Sequence, residues 1–182
     1  WIPHSGAPSP SLCTRHHLHR GGTRGLIKLM KEYPEHQSSN EECCWQFILL
    51  ASQIEEDSCE WRKRLIKEGA LDVVVKALKH SVRSGSGVHF GACKQAIGVL
   101  YYFAKFQDND LLNQLASDYK VVSAVVKGVC AARIEMPRVT LSVVQQNGPQ
   151  TSVFCDIAEL AFLLLASLQH TPEGRAAFKA KN

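Results

Sequence analysis

The stretch Gly69-Ala70-Leu71-Asp72-Val73-Val74-Val75-Lys76-Ala77-Leu78-Lys79 decides the reading of this chain, because most of it occurs again. Earlier in the chain stands Gly21-Gly22-Thr23-Arg24-Gly25-Leu26-Ile27-Lys28-Leu29-Met30-Lys31, with the glycine, the aliphatic positions and both lysines in register. A third copy, Val121 to Val129, puts Lys127 at the place of Lys76. Leu71, Val74, Val75 and Leu78 follow the i, i+3, i+4, i+7 spacing of one helix face. Gly69 closes the preceding Leu65-Ile66-Lys67-Glu68 turn, where a helix stop favours positive φ.

Two more elements recur around this one. Cys43 to Ala51 is repeated as Ala96 to Ala104 and again as Ala158 to Ala166. Trp61 to Glu68 is echoed by Leu111 to Asp118 and by Gly174 to Lys181. Three helical elements in one cyclic order mark a repeat protein, since each unit needs its neighbours to bury its apolar face. The Cys43 and Ala96 elements are apolar nearly all round, which places them between neighbouring layers. Asp108 or Asn109 is expected to cap the helix through Leu112 and Leu115, and Thr171-Pro172 to open the one containing Phe178.

The links differ in character. Pro34 to Asn40 is short and polar, with Pro34 stopping the helix through Met30. Ser81 to Gly87 reads as a flexible loop. Arg133 to Thr151 carries Pro137, Asn147-Gly148-Pro149 and the β-branched stretch from Val139, so residues 133–151 are expected to form a loop insertion. Residues 1–20 hold Pro3, Pro8 and Pro10 with little apolar periodicity, which predicts a poorly ordered segment or a degenerate first helix. The repeats are then expected over 21–182. The chain opens on Trp1 rather than Met, as expected of a piece of a longer protein.

Composition narrows the function classes. The formal net charge of +4 is too mild to argue for nucleic acid by itself. The longest apolar run, Leu160 to Ala166, is far short of the roughly 18 residues of a membrane span. Seven cysteines, an odd number containing the vicinal pair Cys43-Cys44, do not make a disulfide framework. Most sit in apolar surroundings, which fits a reducing, cytoplasmic setting.

The triplet pattern resembles the armadillo repeat. Arg62 to Leu71, followed by Val73 to Leu78, is similar to that family's first two helices with the glycine at their bend. Met30-Lys31-Glu32-Tyr33-Pro34-Glu35, continuing to Asn40-Glu41-Glu42-Cys43-Cys44-Trp45, resembles the link and third-helix start of a divergent branch. The resemblance covers residues 21–131 and 152–182. It implies an all-α, right-handed armadillo-like helical-repeat solenoid of about three divergent repeats, whose stacked third helices form a concave groove. The HEAT fold, its structural competitor, uses helix pairs and lacks the glycine-bend triplet. Nuclear-import receptors of the family place Trp and Asn four residues apart on successive third helices. Here those positions hold Trp45, Gly98 and Leu160, and Leu49, Tyr102 and Leu164, so that ladder is not implied.

Signals for chemistry are weak. Cys13, His16, His17 and His19 cluster, but one Cys and no spaced second pair do not make a zinc site. Cys59 is the expected exposed thiol, with no His near it to act as base. His80, His89 and His170 stand at helix ends or loops, where solvated or C-capping roles are usual. No phosphate-loop, dinucleotide, nucleophile-elbow or HExxH motif occurs. Lys28, Lys76 and Lys127 would stack as a ladder, either as a solvated face or as a surface for an acidic partner.

The sequence therefore reads as a non-enzymatic protein–protein interaction module, an armadillo-repeat scaffold or adaptor with no cofactor. Its groove residues are expected to be Trp45, Gln46, Leu49, Tyr102, Lys105 and Leu164, gripping a partner segment. The alternative for these six is that some belong to the inter-repeat core. Alternatives for the whole are the regulatory armadillo region of a larger multidomain enzyme, or an acidic-ligand or RNA-binding solenoid. Because Phe162 to Leu165 span a full helical turn, they cannot all face inward, and self-association through that C-terminal edge is also expected.

Overall fold

The computed structural model describes residues 22–52, 57–82, 89–105, 108–117, 120–143 and 150–180, with side chains outside 51–61 and 134–155. Among the described residues every regular element is helical. A helix over 22–32 (α1) is followed by α2 (Gln37–Ser52), α3 (Asp57–Lys67), α4 (Ala70–Ser81) and α5 (Phe90–Ala104). Then come α6 (Asn109–Ser117), α7 (Val121–Val143), α8 (Gln150–Leu168) and α9 (Pro172–Lys179). The segment 1–20, most of the Ser81 to Gly87 link, and the side chain of Cys59 lie outside the described residues.

The packing has a period of three helices. The two sides of α5 are covered by α2 and α8, α4 lies against α7, and α6 lies against α9. Within the sequence triplets α4 packs on α5, and α7 on α8. One continuous core results, from Leu26 and Met30 of α1 through Phe47, Leu71, Leu78, Leu100 and Phe103 to Ile157 and Leu168 of α8. Leu71, Val74, Val75 and Leu78 are all buried, as their spacing predicts.

The helix boundaries follow from cap chemistry. Gly69 holds φ 88° and ψ 24°, the left-handed turn that lets α3 stop and α4 start at once. Lys120 takes the same place before α7, with φ 52°. The Asp108 carboxylate accepts from the amides of Asp110 and Leu111 at 3.0 and 3.2 Å and caps α6. The Thr171 hydroxyl donates to the Leu168 carbonyl and accepts from the Gly174 amide, both at 3.1 Å, so it joins α8 to α9. His89 is not a C-cap: its Nδ1 accepts from the Ala92 amide at 3.2 Å at the start of α5. His36 does the same for Ser39 at the start of α2, at 3.3 Å. An imidazole with a bare Nδ1 serves as well as an Asn oxygen there, since only an acceptor is needed.

One expectation is corrected. Helical backbone continues from Arg133 to Val143 and resumes at Gln150, where a loop over 133–151 is expected from sequence. Extending a formed helix costs no new nucleation, so the β-branched residues after Val139 join a helix already anchored by Val121, Val122 and Val125. Pro137 lacks the amide that would have bonded the Arg133 carbonyl, and its ring crowds that carbonyl, yet the helical backbone runs through it.

Candidate partner-binding face

Helix α2 presents Trp45 and Leu49 one turn apart on the same face, 43% and 42% exposed. Behind them Cys43, Cys44 and Phe47 are buried, which fixes the rotation of the helix. Gln46 flanks the pair, its amide donating to the Glu42 carboxylate at 3.0 Å. Tyr102 of α5 is half-buried, and its ring lies 5.6 Å from that of Tyr101 at a 56° tilt. Lys105, just past the end of α5, is exposed. Five of the six expected groove residues thus lie at or near the surface.

Leu164 does not. It is fully buried, on a stripe with Ile157, Ala161 and Leu168. The burial patterns of α5 and α8 superpose when Ala96 is set against Ile157, one residue away from the sequence alignment. In that register Leu164 takes the place of Phe103, and half-buried Leu163 takes the place of Tyr102. The surface column equivalent to Leu49 is therefore Leu49, Tyr102 and Leu163. The residue missed is Leu163, hidden in the run Leu160 to Ala166, whose uniform apolarity carries no phase.

The Trp45 column is interrupted by close packing. Gly98, at the corresponding place on α5, is buried; a Cβ there would stand 2.9 Å from Ile48 Cδ1 and 3.8 Å from Leu160 Cδ1. A side chain at 98 would have to displace the tip of Ile48 on α2 and would sit in ordinary contact with Leu160 on α8. One step up, a Cβ on Gly91 would meet the Glu41 carboxylate at 2.3 Å, so that carboxylate lies against the first turn of α5. A negative charge is favoured at a helix start. Lys94 of α5 and Asp156 of α8 are ion-paired at 2.5 Å across the next seam.

A second charged feature lies where α1 meets α3. Glu68, in the turn between α3 and α4, has a side chain only 7% exposed. Its Oε1 accepts from Arg24 Nε at 3.2 Å and Arg64 Nε at 3.1 Å, and its Oε2 from the Thr23 hydroxyl. Burial alone would raise this carboxyl. The Thr23 hydroxyl, then Arg64 by hydrogen bond and charge, then the Arg24 charge outweigh burial and hold it below the usual carboxylate value.

Two of the buried thiols, Cys44 and Cys93, are poor nucleophiles. Burial pushes Cys44 well above the ordinary thiol range, with Cys43 and Glu41 adding to the shift. Burial raises Cys93 to about 11 despite a hydrogen bond with Ser81. Cys130 is exposed, and Cys43, Cys44, Cys93 and Cys130 form no disulfide. Among the described residues no group of three His, Cys, Asp or Glu is placed to hold a metal, and no helix is long and apolar enough to cross a membrane. Exposed Lys28, Lys76 and Lys127 stand on α1, α4 and α7. No family model matches this chain, and no curated protein or solved structure is significantly similar to it.

Proposed function

We propose that the chain is an armadillo-like, right-handed helical-repeat module that binds an extended or helical segment of a partner protein across α2, α5 and α8. The observation that carries this reading is the Trp45–Leu49 pair: two large apolar side chains exposed one turn apart on a helix whose other face is locked in the core. The three-helix packing period supports the repeat architecture, because α2, α5 and α8, α4 and α7, and α6 and α9 each meet their counterparts in the next triplet. Rigid presentation favours binding, since little side-chain freedom is left to lose on association. The mechanism is binding rather than chemistry, and the cysteines that form no disulfide fit a reducing, cytoplasmic setting.

A peptide-library selection against the protein tests this. Peptides rich in apolar anchors should be enriched. Replacing both Trp45 and Leu49 by Ala should then weaken the best of them by about 2 kcal/mol or more, with the helical circular dichroism unchanged. Equal binding to the parent and the double variant would refute the assignment of the face.

A further inference from the structure

We infer that the cleft between α1 and α3 is a binding site for a compact ligand carrying two or more phosphate groups. The cleft has a volume of about 630 Å³ and is lined by Arg24, Lys28 and Lys31 from α1 and by Arg64 and Lys67 from α3, over a floor that includes Ile27. That volume lies within the range of small-ligand pockets, roughly 300–1,000 Å³. Five cations face one lining carboxylate, Glu68, and both of its oxygens are already engaged by Thr23, Arg24 and Arg64. Glu68 therefore ties down the two guanidinium groups, and its single negative charge cannot balance five cations.

The lysines are incompletely compensated. Lys28 approaches Glu32 at 3.7 Å, a pair with both side chains largely in solvent. Lys31 and Lys67 make no ion pair among the described residues. Arg64 and Lys67 also occupy the last turn of α3, where the negative end of the helix dipole favours cations. Like charges gathered around one concavity focus a positive potential into it. A multivalent oxyanion answers that arrangement best: arginine forks match the geometry of phosphate oxygens, and lysines supply point charges to the remaining ones. The other exposed lysines of the repeated face, Lys76 and Lys127, stand on α4 and α7 and do not line the cleft.

Titration calorimetry of the whole chain with inorganic tripolyphosphate, at about physiological ionic strength, is the experiment. A parallel arm uses a peptide bearing two adjacent phosphoserines, which separates a free phosphate compound from a phosphorylated protein as the source. Saturable one-to-one binding of either probe is expected. Replacing Lys31 and Lys67 together by Gln should weaken it by roughly tenfold or more. The same exchange at Lys76 and Lys127, equal in charge, should leave it within about twofold. Lys31→Gln alone should give an intermediate loss, and all variants should keep the parent circular dichroism. Absence of saturable binding to both probes would overturn the assignment. So would equal weakening by the two double exchanges, which is the behaviour of a long polyanion such as RNA held by overall charge.

Discussion

The carboxylate of Glu68 accepts from Thr23 and Arg24 on α1 and from Arg64 on α3, so its protonation state is felt by both helices. Its folded-state pKa is lowered, which means that the folded chain holds this proton less tightly than the unfolded one. The stability it contributes is therefore fully present above the ordinary carboxylate range and is lost as pH falls through its folded value. Glu68→Gln should lower the urea midpoint near neutrality. The gap to the parent should narrow as the pH falls through the folded value of this carboxyl, below the ordinary carboxylate range. A gap that stays constant with pH would mean that the amide replaces the carboxylate in shape only and that its charge does nothing. Only the Arg64–Glu68 pair, four residues apart, is visible in the sequence; Thr23 and Arg24 lie far from Glu68 along the chain, and only the packing of α1 on the α3–α4 turn joins them.

Among the elements, two glycines separate two reasons for needing that residue. At Gly69 the nearest atom to an added Cβ would be Lys31 Nζ at 4.0 Å, so space is open and only the left-handed φ resists substitution. Gly69→Ala should cost about 1–2 kcal/mol, and Lys120→Gly, at the equivalent turn, should stabilise the protein. At Gly174 a Cβ would stand 1.8 Å from the Leu168 carbonyl oxygen, so the backbone between α8 and α9 would have to move. Gly174→Ala should cost about 3 kcal/mol or more and release α9 from α6; amide exchange of 172–179 reads that loss directly. Equal costs at the two sites would contradict the distinction. Gly69, Asp108 and Thr171 were legible because their roles are set by local chemistry. The rotation of α8 was not. Leu160 to Ala166 is apolar on every side, and only burial against α5 shows that Leu164 faces inward and Phe162, 71% exposed, faces out. The histidine caps were illegible for another reason: His is an unusual residue at a helix start, and its position at the heads of both α2 and α5 emerges only once the helices are placed. The extension of α7 to Val143 was hidden by Pro137, whose presence in sequence argues for a break.

At the scale of the whole molecule, the period of three helices is what places α2, α5 and α8 side by side and brings Leu49, Tyr102 and Leu163 into one column. Gly98 of α5 lies between Ile48 of α2 and Leu160 of α8 within that arrangement. The sequence repeats foretold the order of the helices, since each recurring element falls in a helix. They could not foretell which positions of the α8 copy stay at the surface. The claim that the α2–α5 face receives a partner is tested most directly by photo-crosslinking. A selected peptide carrying a benzophenone would be irradiated with the protein and the adducts mapped by mass spectrometry. The account predicts adducts within Gln37–Ser52 and Phe90–Ala104, abolished by Trp45→Ala with Leu49→Ala; adducts confined to α4 and α7, or unaffected by that double exchange, would contradict it.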